Sequence, residues 1–264
     1  MPSTTLRSCI ALLVAALLAP AAGAEALDEA LYARLLEQYT RELPDAARTR
    51  VDYSGLTRSA DWKSLIVNVG RTRPAALPDR DARLAYWINV YNILAIDLVL
   101  QHYPVDGIRD IGNLLRPVWK RPAGRIAERP YSLDEVEHRI LRPLGEPRIH
   151  AAIVCASVSC PALRREPFAA SRLDAQLDDA LRGWLADPGK GLRIDRPMRT
   201  LWLSRIFQWF EGDFEAQGGV IPFVASHLGD ADRAWLERQG PAVSIEYLDY
   251  DWSLNDLARA PARH

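Results

Sequence analysis

The sequence predicts an α+β fold: a buried central helix packed on a small, mainly antiparallel sheet, with several further helices around it. Three observations lead there. Runs with helical spacing outnumber runs with strand alternation, and the two kinds do not alternate regularly, which favours α+β over a doubly wound sheet. The span from Leu84 to Leu100 is apolar on nearly every side, the composition of a helix buried in the middle of a domain. Strand-like runs are short, and the clearest are 149–155 and 243–247.

Taken in order, Leu27, Leu31, Leu35 and Leu36 mark an opening amphipathic helix that stops before Pro44. In the central helix the clearly polar side chains are Asn89, Asn92 and Asp97; these, with the flanking Arg83 and His102, argue against a membrane span. Asn89 and Asn92 lie three positions apart and face one neighbourhood. A buried amide without a partner costs about 1–3 kcal/mol, so both are expected to clamp a passing backbone or to join a polar network. Ser132-Leu133-Asp134-Glu135 has the form of a capping box and opens a helix that carries Glu137 and His138 and ends before Pro143. Residues 149–155 read as an interior strand that His150 opens. Leu173, Leu177, Leu181, Trp184 and Leu185 mark another helix, capped by Ser171 and stopped by Asp187-Pro188-Gly189. A shorter helix begins near Ser204 and carries Ile206, Phe207, Phe210 and Phe214; Val243, Ile245 and Tyr247 alternate as a last strand before a polar end expected to fray.

The first 24 residues have the layout of a cleavable leader: Arg7, an uncharged run from Ile10 to Leu18, then small residues with an A-x-A-like site at Ala22-Gly23-Ala24. The apolar run is roughly half of the ~20 residues a spanning helix needs, so no integral membrane segment is expected after cleavage. A periplasmic or secreted single domain over 25–264 follows as the expectation. The formal net charge of −1 becomes one unit more negative without Arg7, which gives no electrostatic reason to expect nucleic acid as a partner. Cys9 leaves with the leader, and Cys155 and Cys160 remain as an even pair that an oxidising compartment turns into a disulfide. Such a bridge closes a short loop and adds about 2 kcal/mol by chain entropy.

Glycine-rich phosphate loops, G-x-S-x-G elbows and H-E-x-x-H pairs are all lacking from the sequence. The histidines at 102, 138, 150, 227 and 264 have no metal-ligand spacing, so no metal and no cofactor is expected. The stretch from Arg148 to Pro161 is the most unusual: a histidine, an apolar run, then Ser157 and Ser159 among small residues, a sequence able to bring a ring nitrogen, hydroxyls and backbone amides to one cleft. On a strand, five residues at ~3.3 Å each would separate His150 from Cys155 by about 16 Å and turn them to opposite faces, which argues against a thiol–imidazole pair between them. Glu137 is placed to orient His150 from across a gap, although helix glutamates more often meet an arginine.

The blocks Tyr86–Asn92, Ser132–Arg142, Ile149–Pro161, Leu203–Phe214 and Tyr247–Asn255 together resemble the family called domain of unknown function 547. A weaker architectural similarity links a buried helix with an early tryptophan, followed later by a histidine, to papain-like and transglutaminase-like enzymes. Those need a thiol just before the tryptophan, at a helix N-terminus; here that position is Tyr86. The expected function is therefore a hydrolase or transferase with a pocket at the end of 149–155, in which His150 is the base and Glu137 its helper. Asn89, Asn92, His138, Ser157 and Ser159 line that pocket or its network, and the partner is a small molecule or peptide. The alternative is a disulfide-stapled binding module without chemistry.

Overall fold

The computed structural model describes residues 26–113 and 116–261. The leader expected over 1–24, its cleavage site and His264 lie outside the described residues. The fold is α+β; among the described residues, helices surround a central one and the strands form three small sheets.

Asp28 caps the first helix, Glu29–Tyr39, by accepting from the Leu31 amide at 2.8 Å, and Ser59 caps a second, Ala60–Arg71, in the same way. Their apolar faces, Leu31, Leu35 and Leu36 on one and Trp62, Leu65 and Val69 on the other, are buried in one cluster. The central helix runs Arg80–Leu100 with Asp79 as its cap, and every residue from Leu84 to Ile96 is buried. It is long and apolar enough to cross a membrane by length and composition, but the protein itself covers it. It packs on the antiparallel hairpin formed by Pro122–Ile126 and Arg129–Ser132. The sheet is thus divided, not single. A second hairpin joins Thr40–Glu42 to Thr49–Val51, and a third sheet pairs Leu192–Asp195 antiparallel with Thr200–Leu203, which in turn runs parallel to Ser244–Tyr247.

The two central amides bind passing backbone. Asn89 donates to the Phe168 carbonyl at 2.8 Å and accepts from its amide at 2.9 Å; Asn92 donates to Ala152 O at 3.0 Å and accepts from Val154 N at 2.8 Å. This second clamp corrects the reading of 149–155. The segment is no strand: Pro147–Ala151 is a 3-10 helix, and the backbone groups that a sheet neighbour would have paired at 152 and 154 are satisfied by the Asn92 side chain.

The segment that carries Glu137 and His138 also departs from expectation. Ser132 accepts from the Glu135 amide at 3.1 Å, as a capping residue should, but the Glu135 carboxylate pairs with Arg129 instead of returning to Ser132. After one α-turn, Leu133–Glu135, the chain becomes a π-helix over Val136–Leu141 and ends in a 3-10 turn, Arg142–Leu144. π-turns are rare and concentrate at functional sites. Ser132→Ala is expected to lower stability by about 1 kcal/mol, read as a shifted urea midpoint; an unshifted midpoint would mean that the cap does not hold this segment.

The helix Leu173–Leu185 begins at Arg172 without a side-chain cap, because Ala170–Arg172 already forms a 3-10 turn; Ser171 is therefore not its cap. Ser204 does cap Arg205–Trp209, which continues as a 3-10 stretch, Glu211–Gln217. In the polar end expected to fray, Leu254, Asn255 and Asp256 are buried, and Asn255 accepts from the Tyr53 hydroxyl at 2.8 Å. The apolar interior of the described residues has two clusters, one around the central helix and one around Phe207, Phe214 and Phe223. They meet at the 3-10 turn, where Ile149 belongs to the first and Ala151 to the second.

Candidate functional site

His150 lies between those two residues, at the seam, and is only 2 % exposed. Its Nε2 is 2.8 Å from Asp213 Oδ2. Asp213 is also gripped by Arg142, whose Nε donates to Oδ2 and Nη2 to Oδ1 at 2.7 Å each in a two-pronged pair. Arg142 Nη1 also donates to His138 Nδ1 at 2.6 Å, and Phe210 stacks on the His150 ring with centroids 4.3 Å apart. On the opposite side of the ring, Nδ1 lies 4.0 Å from Glu137 Oε1, and the Tyr91 hydroxyl donates to Glu137 Oε2 at 3.4 Å.

The protonation states follow from these contacts. Burial, the largest influence, lowers the pKa of His150 from its ordinary 6.5 against the opposing pull of Asp213, so the ring is neutral at pH 7. Burial raises Asp213, but hydrogen bonds from His150 and Arg142 outweigh it and hold the carboxyl well below the usual carboxylate range. Asp213 is therefore ionised and accepts the Nε2 proton, which leaves the Nδ1 lone pair on the Glu137 side. Burial pushes Glu137 up to about 7, with Arg142 and Tyr91 pulling the other way. An imidazole base and a carboxylic acid thus face each other across a small gap near neutrality.

Both line a cavity of about 410 Å³ whose remaining wall is largely aromatic: Tyr91, Trp119, Trp209, Phe210, Tyr250 and Trp252. His138 and Asp134 also border it, as do Cys155 and Cys160, which are joined in a disulfide. His150 and Cys155 hence share one cavity, and the separation derived from a strand does not apply, because the 3-10 turn shortens and curls the segment. Three larger clefts, about 860, 890 and 570 Å³, hold no comparable set. In the first, Asp187 and Glu166 are bound by Arg48 and Arg164, and the Lys190 amine donates inward to the Ala47 and Val158 carbonyls.

Other residues singled out in the sequence lie elsewhere. Asn89 and Asn92 are not in the cavity wall; Asn92 acts on it only by fixing 152–154. Ser157 and Ser159 are tied to the C-terminal segment, Ser159 Oγ accepting from Asp251 N at 2.9 Å and Ser157 bridging Leu254. Sequence reasoning missed Asp213 and Arg142. Asp213 stands among other acids, Glu211 and Glu215, so the sequence offered no signal that set it apart. Among the described residues no group of three or more His, Cys, Asp or Glu side chains is placed to hold a metal ion.

The matched family joins this picture at the level of the segment that carries His150. Residues 74–185 match the model of the family described as "Protein of unknown function, DUF547". The match spans the central helix, Glu137, His150 and both cysteines; Asp213, Tyr250 and Trp252 lie beyond it. No curated protein and no solved structure matches the chain. The parts a papain-like enzyme would unite also lie apart: Tyr86 bonds Thr72 and borders a different cavity from His150.

Proposed function

We propose that the cavity is a general acid–base site for hydrolysis of a small molecule with an apolar or planar face. The observation that carries this reading is the His150 ring, held by Asp213 at Nε2 while Nδ1 faces Glu137 beside the cavity. Both cysteine sulfurs are bonded to each other, so water is the attacking group. His150 Nδ1 takes a proton from that water as it attacks, Asp213 steadies the imidazolium that forms, and protonated Glu137 gives its proton to the leaving group. The aromatic wall excludes water from the rest of the ligand and sets its shape preference. A transferase would use the same base on a different acceptor.

The leader-like first 24 residues and the paired cysteines support a periplasmic or secreted location for a single domain over 25–264. One observation favours a second reading, a binding module: the disulfide ties up the strongest nucleophiles in the wall.

Turnover of a panel of small aryl esters, amides and phosphate esters, with tryptophan fluorescence as the parallel readout of binding, separates the two. The expected profile is a bell. Its acid limb lies below pH 6.5, where His150 gains a proton, and its alkaline limb lies near pH 7, where Glu137 loses one. Fluorescence changes without turnover of any panel member would leave the binding module standing and overturn hydrolysis.

A further inference from the structure

The disulfide is a wall of the cavity and not a remote staple, and its two sulfurs differ in surroundings. Cys155 is half-buried and Cys160 is buried. The Cys155 backbone amide donates to Cys160 Sγ at 3.1 Å, and the Tyr250 hydroxyl lies 3.3 Å from Cys160 Sγ against 3.7 Å from Cys155 Sγ. The Ser157 hydroxyl also lies 3.5 Å from Cys155 Sγ, so each sulfur meets two donors, and the nearer pair is on Cys160, the less accessible sulfur. A sulfur with the closer donors once it carries charge is the better leaving group, and the more open one is the better target.

We propose that Cys155–Cys160 is an exchangeable disulfide that a low-molecular-weight thiol opens from the cavity, by attack on Cys155 with Cys160 as the leaving thiolate. The inference goes beyond the acid–base reading and does not depend on it. In the first step an external thiolate forms a bond to Cys155 Sγ as the Cys155–Cys160 bond breaks, and the electron pair goes to Cys160 Sγ. That thiolate is met by the Cys155 amide and the Tyr250 hydroxyl, which burial keeps protonated. In the second step another thiolate attacks the external sulfur of the mixed disulfide and releases Cys155. Two small thiols are oxidised to one small disulfide, and the protein bridge is reduced to two thiols, each taking up one proton.

The test uses the whole folded protein in glutathione at millimolar concentration, acid-quenched at intervals, with free thiols alkylated and the glutathione adduct located by mass spectrometry. Circular dichroism on the same samples reports the fold. The bridge should open while the fold is intact, and the transient adduct should sit on Cys155. Tyr250→Phe should slow opening by about 10- to 100-fold, the worth of a hydrogen bond to a charged sulfur. If that variant does not fold, the location of the adduct in the parent protein still decides. Opening only in step with unfolding, or an adduct on Cys160, would overturn the proposal; so would a folded Tyr250→Phe protein that opens as fast as its parent. Because the readout is the thiol state of the bridge and not hydrolysis of any substrate, failure here is separable from failure of the hydrolytic reading.

Discussion

His150→Gln and Asp213→Asn should each lower turnover of any accepted substrate by about 10²–10⁴-fold, for different reasons. Glutamine keeps hydrogen-bonding capacity but has no nitrogen that can take a proton near neutrality. Asparagine in place of Asp213 keeps the shape but presents an amide. When that amide donates to Nε2, the ring proton moves to Nδ1 and the base points the wrong way, as happens when the acid of a His–Asp pair is neutralised. The two variants should differ in stability. His150→Gln can still bond Asp213 and should melt close to its parent. Asp213→Asn breaks the two-pronged pair with Arg142 and leaves a half-buried guanidinium short of an anion, a loss of about 1.5–3 kcal/mol.

That loss has a pH signature. The carboxyl of Asp213 is depressed in the fold, so its stabilising contribution is full above its unfolded value and disappears as pH falls through the folded one. The gap between parent and variant should therefore begin to narrow on acidification below about pH 4. Chemical denaturation at pH 7 and pH 3 measures the narrowing, and a gap of equal size at both would count against a depressed Asp213. Equal turnover in all three proteins would remove His150 from the mechanism.

Glu137→Gln should stabilise the protein, and only at higher pH. In the fold this carboxyl titrates at about 7, whereas in an unfolded chain it titrates near its ordinary 4.5. Between those values the folded protein holds a proton that the unfolded chain has released, so stability falls as pH rises through the window. Above it, the buried carboxylate opposes folding by about 3 kcal/mol. Glutamine removes that penalty and can still accept from Tyr91. The variant should melt roughly 6–12 °C above its parent at pH 8 and level with it at pH 4, while losing the proton donor and with it turnover. Identical melting curves at both pH values would show that Glu137 ionises in the fold as it does in water.

Much of the fold was legible where one physical cause dominates. The run of 84–96, apolar but for Asn89 and Asn92, could only be buried, and caps such as Ser132 and Ser204 are decided by neighbours a few positions away. The segment 149–155 misled because alternation reports burial on two sides and not what pairs the backbone, and Asn92 supplied from another helix what a sheet neighbour would have. His150 was visible as an ionisable group leading an apolar run, and Glu137 as a helix carboxylate able to reach it across a gap. Asp213 and Arg142 were not, because they meet His150 across 63 residues in one case and only through Asp213 in the other. Periodicity carries no information about such pairings.

The π-helix over Val136–Leu141 gives the site a dependence on residue count as well as on residue type. A π-turn holds one residue more than an α-turn, so the side chains after it are out of phase with the turn before it. Leu133, Val136 and Leu141 reach the core, Glu137 and His138 reach the cavity, and Arg142, just past the surplus residue, reaches Asp213. Deleting a single position within the turn would restore an ordinary helix, and every later side chain would turn by about 100°. Arg142 would then leave Asp213 with no change in either residue's identity. Homologous chains that keep both residues but differ in length here would carry the same letters without the same site.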